Sequence, residues 1–289
     1  MINFRYHVVS LTAVFLALAA GLVLGAGFLD QTDDDGATSG DTTDPGVRSF
    51  DTGYASRTAP VLAKDKLKDR TILVVTTPGA RAADVKGVRT SLEQAGATIV
   101  GQIELTSKLL DPGGRQFADG VADKAGADVA EVSTAATGYP RIGAALGRAY
   151  LTRKDATVDE AATQLSAAFD EGGLVRVDTK PSKRAALAVV VTADRSSANS
   201  QQGSSLGALV TALDLASGGV VVSGPSSASL DGGLIAAVRS DEGASQVSTV
   251  DVADLPAGRT VVALAAASEV AGRSGAWGTS RSADGALPQ

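Results

Sequence analysis

Hydrophobic and polar positions alternate in three distinct styles along this chain. From Val8 to Leu29 no charged residue occurs, with Arg5 and His7 ahead of the run and Asp30 behind it. Twelve of those 22 residues are Leu, Val or Phe. A helix of this length spans about 33 Å, enough for a hydrocarbon core of about 30 Å. At roughly −0.3 to −0.6 kcal/mol each, the twelve favour insertion by about 4 to 7 kcal/mol before Ser10, Thr12 and the glycines are counted against them. The pattern predicts an N-terminal membrane anchor over residues 1–29, with Val8, Leu11, Phe15 and Leu18 in the span. Gly21 and Gly25 have the GxxxG spacing of a helix-pairing seam, a spacing that apolar helices also contain by chance. No other stretch has this character, so a single crossing is expected. A basic flank before the span and Asp30, Asp33, Asp34 and Asp35 after it predict that the body lies outside the cytoplasm. A cleaved secretory signal is the competing reading, with Gly25-Ala26-Gly27 imitating a cleavage site. The apolar run exceeds the 7–15 residues of a signal core, which favours an uncleaved anchor.

The second style is no pattern at all. Residues 30–49 hold one Val and one Ala among Asp, Gly, Thr and Ser, too few to order a segment, and predict an acidic Gly/Thr-rich linker. Its three adjacent aspartates are the carboxylates of a solvated run; a hard cation is the sharper but weaker alternative.

Periodicity returns near Phe50 and holds to residue 272, the predicted extracytoplasmic domain. Residues 70–79 form a continuous β-branched run closed by Pro78-Gly79, the mark of a strand buried on both faces. Val85, Val88 and Leu92 follow at helical spacing, and residues 97–105 supply a second strand, completing a βαβ unit. Ile142, Leu146, Leu165 and Phe169 mark a helical middle. A similar unit then returns: a strand between Arg184 and Arg195, a helix bearing Leu206, Leu209, Val210 and Leu213, and a strand over 219–225. A helix with Leu230, Leu234 and Val238 follows, and strands are expected at 247–252 and 259–265. The predicted fold class is α/β: one transmembrane helix followed by a parallel-sheet domain, with two related βαβ halves as an option that the matching arginine spacing suggests. Residues 273–289 form a Gly/Ser-rich tail whose Trp277, the only tryptophan, is expected to fill a gap on the domain surface.

Composition narrows the chemistry. The chain has no Cys, one Met and one His. Thiolate nucleophiles, Cys-based zinc or iron–sulfur sites and a Ser-His-Asp triad in the body are therefore excluded. His7, just ahead of the span, is expected to be an interfacial flank residue. A net charge of −6 with 4% aromatics and no basic stripe argues against nucleic acid, and the few aromatics argue against the girdles of an outer-membrane barrel. The body after the linker is long enough for one large core.

In open α/β sheets, ligands gather beyond the carboxyl ends of the strands. Those ends place Thr77 and Gly79, Thr192 and Asp194, and Ser223 and Ser226 as candidate ligand-loop residues. Hydroxyls and small residues suit a polar ligand, but they are also the ordinary material of strand-to-helix turns and caps. Asp194 and Asp231 are carboxylates near these turns, yet no acid–base constellation or phosphate-binding glycine motif is present. No catalytic role and no resident cofactor are expected.

The block Phe4-Arg5-Tyr6-His7-Val8-Val9-Ser10-Leu11, continuing to Gly25, resembles the opening of the actinobacterial copper transporter family. Phe50-Asp51-Thr52 leading to residues 70–80, the segment 94–97, Trp277-Gly278-Thr279 and residues 283–288 agree with it. The resemblance implies copper efflux or homeostasis, with a pore-forming role in the outer membrane of mycolic-acid bacteria. It makes copper the transported ion and not a bound cofactor, and the lipid bilayer a partner. Homo-oligomerisation is then the route by which one helix per chain could build a pore. Family members carry a coiled-coil stretch after the anchor, where this chain has its acidic linker. Copper prefers thiolate, thioether and imidazole, and this chain has none of these after His7. The residues by themselves support a second reading, an anchored non-catalytic α/β binding or scaffold module of the envelope. The helical anchor favours the inner membrane, the resemblance the outer.

Overall fold

The computed structural model describes residues 45–154, 156–197 and 200–288. The expected anchor, with Val8, Leu11, Phe15, Leu18, Gly21 and Gly25, and most of the acidic linker lie outside the described residues. Among the described residues no helix is long and apolar enough to cross a membrane.

Helix α1 (Pro45–Ala63) leads into strand β1 (Thr71–Thr76), whose six residues are all buried. Helix α2 (Ala82–Gln94) and strand β2 (Thr98–Leu105) complete the first βαβ unit. The helical middle comprises the short α3 (Ser107–Leu110), α4 (Arg115–Ala125), the short α5 (Ala130–Ser133), α6 (Tyr139–Tyr150) and α7 (Glu160–Glu171). Strand β3 (Val175–Thr179) precedes β4 (Leu187–Val191), and α8 (Ser200–Ala216) leads to β5 (Val220–Ser223). Helix α9 (Leu234–Ser240), β6 (Ser248–Val250), α10 (Pro256–Val270) and β7 (Ala276–Trp277) close the chain.

All seven strands join one sheet in the order β3-β2-β1-β4-β5-β6-β7. Every neighbouring pair is parallel except β2–β3. The centre is the β1–β4 pair, in register from Ile72 opposite Leu187 to Thr76 opposite Val191. Both strands read as unbroken apolar runs because side chains on each face meet helices. Ile72, Val74, Leu187, Val189 and Val191 pack into the core under α2 and α10. Leu73, Val75, Ala188 and Val190 point the other way, into the core under α6, α7, α8 and α9. Each fully buried Val or Leu contributes about 1.5–3 kcal/mol.

The strand order steps outward from β1 to β2 on one side and from β4 to β5 and β6 on the other. Crossovers of one hand must then pass over opposite faces, which places α2 on one layer and α8 and α9 on the other. The two units predicted from sequence thus meet edge to edge at β1–β4 as one sheet. Strand β3 escaped the sequence reading. It is an antiparallel edge strand with only Val175 fully buried, and Arg176 and Asp178 face outward, as charges on an exposed edge do.

The segment 259–265 is not a strand, contrary to its β-branched appearance. It lies inside α10, which begins with Pro256 in the first turn and runs on through Ala263, Ala265 and Ala266, all buried. Proline at a helix start and alanine in the interior outweigh Val261 and Val262. Leu230, placed with α9 by spacing, lies before that helix in a turn and is 51% exposed.

The last connection differs from its neighbours. Helix α10 joins β6 to β7 in the same outward direction as α8 and α9, but it packs on the α2 face. Its hand is therefore opposite to theirs, and the strand it delivers has two residues. A buried ion pair holds that edge. Arg239 on α9 donates to Asp251 Oδ2 at 2.8 Å, and both side chains are nearly inaccessible. The Asp251 carboxylate also accepts from the Thr279 backbone N–H and the Ser280 hydroxyl, while Arg239 reaches Thr249 Oγ1 and the Trp277 carbonyl. Burial alone would raise the Asp251 carboxyl; the bonds from Ser280, Thr279 and Arg239 outweigh it and hold it below the usual range. Gly278, at φ +137°, passes so close that a Cβ would stand 1.9 Å from Asp251 Oδ1.

At the other end of β6, Glu269 on α10 accepts from the Ser248 backbone N–H at 2.9 Å. Burial pushes its carboxyl up to about 7, against the bonds from Ser248 and with the charge of Asp214 adding to the rise.

Two predictions follow from these buried carboxylates. Asp251→Ala leaves the Arg239 guanidinium buried and unpaired, and urea denaturation should show a loss of about 3–5 kcal/mol. Trp277 emission, from the only tryptophan, should report the released edge. Glu269 has a folded pKa raised above its unfolded value, so the stability it confers is complete below about pH 4.5 and lost as pH rises through about 7. Glu269→Gln should match the parent at pH 4.5 and melt about 2–8 °C higher at pH 7.5, measured by thermal denaturation across pH.

Candidate functional site

The carboxyl ends of β1, β4 and β5 come together at the switch in strand order, and all six candidate loop residues lie there. The Thr77 backbone N–H donates to the Val191 carbonyl, and Thr77 Oγ1 accepts from the Ala193 N–H at 3.0 Å. Gly79, at φ +80°, turns the β1 loop against the β4 loop, where a Cβ would lie 2.9 Å from Ser197 Cβ. The Thr192 N–H donates to the Ser223 carbonyl at 2.7 Å, and Ser223 Oγ donates to the Val190 carbonyl at 3.0 Å. Asp194 folds back on its own turn, accepting from Ser196 Oγ and the Ser197 N–H. The Ser196 hydroxyl bond, opposed by partial burial and helped by Ser197, holds its carboxyl low. Ser226 is exposed at the start of a short 3-10 turn. Asp231 is exposed in the turn before α9 and Asp194 is engaged with its own serines, so the two carboxylates make no pair.

Thr77, Thr192 and Ser223 are almost wholly buried. Their polar atoms splice one loop to the next, with one exception. Thr192 Oγ1 is buried without a hydrogen-bond partner and rests against Gly224, where a Cβ would lie 2.2 Å away. It faces the backbone of the β5 loop and not solvent.

A second set of polar residues stands beside these loops and was not legible in the sequence. Asp84, in the first turn of α2, is buried and paired with Arg81 Nε at 2.8 Å and Arg259 at 3.5 Å. Arg259 also donates to the Ala253 and Asp254 carbonyls. Burial raises the Asp254 carboxyl, the Asp84 charge raises it further, and Arg81 opposes both. Arg81 and Asp84 at the start of α2 lie about 170 positions from Asp254 and Arg259 at the start of α10, so only the packing of those two helices unites them. The arrangement balances charge around one buried and one half-buried carboxylate and offers neither an imidazole nor a thiol. Among the described residues no group of three His, Cys, Asp or Glu side chains is placed to hold a metal ion.

Comparison with known proteins supplies what this geometry does not. The family model for "Copper transport outer membrane protein, MctB" matches residues 1–288. The chain belongs to the MctB family. Copper transporter MctB of Mycobacterium tuberculosis (strain ATCC 25618 / H37Rv) is 30% identical over 292 aligned positions, covering 92% of each chain. Copper transporter MctB of Mycobacterium bovis (strain ATCC BAA-935 / AF2122/97) gives the same values. That of Mycobacterium leprae (strain TN) is 32% identical over 129 residues, 38% of this chain and 39% of its own. The MctB match takes in the N-terminal block from Phe4 to Gly25 and the closing Trp277 segment alike, the residues on which the resemblance rested.

In this MctB-family chain the switch-point loops are a closed polar lattice. If Thr192 donates to no ligand, its hydroxyl is simply an unpaired buried group. Thr192→Val should then raise stability by about 1 kcal/mol in chemical denaturation. A loss of stability would mean that the hydroxyl has a partner.

Proposed function

We propose that this chain acts in copper transport or homeostasis at the cell envelope, as a non-catalytic protein for which copper is cargo and not a resident cofactor. The observation that carries the reading is the MctB family match along residues 1–288. In the proposed arrangement residues 8–29 anchor the chain in the bilayer and the α/β domain stands outside the cytoplasm, as the charge distribution around the apolar run favours. The family's description favours the outer membrane.

Copper chemistry limits what the domain can do. Soft ligands hold copper best, and Met1 and His7 are the only thioether and imidazole of the chain. The domain's part in transport is therefore assembly and not coordination, with the ion passing hydrated or on a partner. Helix α1 supports such an assembly. Val47, Phe50, Tyr54 and Val61 are all exposed, at steps of three, four and seven residues, and the Phe50 and Tyr54 rings stack at 6.1 Å. An apolar stripe at that spacing suits pairing between copies of the helix, and homo-oligomerisation is the means by which single anchors would line a pore.

The second reading, an anchored binding or scaffold module, is favoured by one observation: at the sheet end where ligands usually bind, the buried hydroxyls of Thr77 and Ser223 are engaged in holding loops together. A deletion strain and planar bilayers separate the two. Copper efflux predicts a deletion strain that stops growing at copper concentrations the parent tolerates. The wild-type gene should restore growth, the Phe50→Glu/Tyr54→Glu gene should not, and the purified protein should conduct. Unchanged copper tolerance together with no conductance would leave the scaffold reading.

A further inference from the structure

Helices α6 and α8 cross through small residues. A Cβ on Gly143 would stand 2.2 Å from the Ala212 methyl, and one on Gly147 would stand 2.4 Å from that of Ala216. Backbones that approach so closely leave few side chains to fill the flank of the crossing. A trench of about 530 Å³ opens there, within the size range of small-molecule sites. Its walls are apolar, made chiefly by Ala136, Pro140, Ala144, Leu151, Ala212 and Leu215. Leu215 is 68% exposed, an unusual setting for a leucine unless something apolar covers it.

Three guanidinium groups, of Arg148, Arg153 and Arg184, border this trench against a single lining carboxylate, Glu131. Two further carboxylates act on these arginines from outside the lining, Asp159 on Arg148 and Arg184 and Asp214 on Arg153. Arg148 is already held by Asp159 through two bonds of 3.0 and 2.7 Å, and that pairing, with the Ala162 N–H, holds the Asp159 carboxyl down to about 2. The other two arginines have carboxylates in their surroundings but are hydrogen-bonded to none among the described residues. Arg153 donates from Nε to the Leu215 carbonyl and has no carboxylate within ion-pair distance among the described residues. Among the described residues the Arg184 side chain donates to the Arg148 carbonyl alone, at 3.5 Å, and its Nε is buried with no acceptor. A planar donor fork lacking an acceptor, at the lip of an apolar trench, matches a carboxylate or phosphate head joined to a hydrocarbon body.

We propose that this trench binds an anionic single-chain amphiphile, taken up as a monomer from water, with its head on Arg153 and Arg184 and its chain along the α6–α8 crossing. The site shares no residue with those invoked for copper, and it stands or falls independently of that reading.

The test uses the full-length protein in nanodiscs of zwitterionic phosphatidylcholine, irradiated with decanoic acid carrying a terminal diazirine. Adducts are expected on peptides covering residues 131–153 and 212–216, suppressed by excess decanoate and not by decanol. Arg153→Gln with Arg184→Gln should lower that labelling at least about tenfold, the loss of two charge-assisted contacts. Ala136→Trp, an exposed position whose new ring would fill the trench, should do the same without touching a charge. Arg153 is exposed too, so Arg153→Gln alone gives a version of the test that leaves the core intact. No labelling above background on residues 131–153 and 212–216, equal suppression there by decanol, or unchanged labelling of those peptides in these variants would overturn the proposal.

Discussion

Strands β1 and β4 pair side by side with both faces covered, and the rest of the domain is arranged around that requirement. A parallel strand cannot turn straight back, so each needs a crossover, and the crossover helices supply the covering layers. Because the order switches at this pair, helices leave to opposite faces and two cores result, one under α2 and α10 and one under α6 to α9. The loops after β1 and β4 stay together past their first residues, with Gly79 set against Ala193 and Ser197. Thr77 and Ala193 bond across that junction. In many open sheets such a junction is a crevice; here the buried hydroxyls close it. A location that topology favours for ligands becomes, through the choice of Thr and Ser, a lock between loops.

That closure bears on how the chain handles a metal ion. Copper taken up by a protein ordinarily finds thiolate, thioether or imidazole donors, and the domain has none of these to offer. The buried Asp84 and Asp251 are already compensated, by Arg81 and Arg259 and by Arg239, and the exposed Asp159 is paired with Arg148. An ion approaching any of them would have to displace a guanidinium that the fold has placed there. The charge pattern is that of a protein body stabilised for its own sake. Membership of the MctB family and the chemistry of the domain are compatible when the domain organises copies or partners around the path of the ion and does not itself ligate it.

Much of the fold was legible because burial on two faces leaves a strong mark. Residues 70–79 and 184–195 could hardly be anything but central strands, and Val85, Val88 and Leu92 showed their helix by spacing alone. Legibility failed where the local signal and the tertiary need diverge. Thr260, Val261 and Val262 carry strand propensity, yet the layer over Val189 and Val221 requires a helix, and the alanines after them supply it. Strand β3 hid because an edge strand buries one face at most and its charges look like loop. The six candidate loop residues were placed at the right end of the sheet by the rule of strand ends, but nothing in a string of letters says whether a threonine hydroxyl faces solvent or the next loop. The Asp84, Asp254, Arg259 group and the arginines around the α6–α8 trench are assembled from distant segments, and no periodicity announces them.

The end of the chain shows how a polar cluster can stand in for topology. A two-residue strand contributes too few ladder bonds to hold an edge against the entropy of a Gly/Ser-rich tail. The connection that delivers it also runs with the less common hand, so the crossover helix does not press it onto the sheet as α8 presses β5. Asp251 supplies the missing constraint. Lying at the end of β6, it collects Thr279 and Ser280 from the tail on one side and Arg239 from α9 on the other. One carboxylate thereby ties the last strand, the tail and a helix of the opposite layer. Its burial is tolerable only because every oxygen has a donor, and Gly278 is obligatory because any larger residue would enter the space those donors need. The tail belongs to the folded body by electrostatics and hydrogen bonding where hydrophobic burial alone would have left it free.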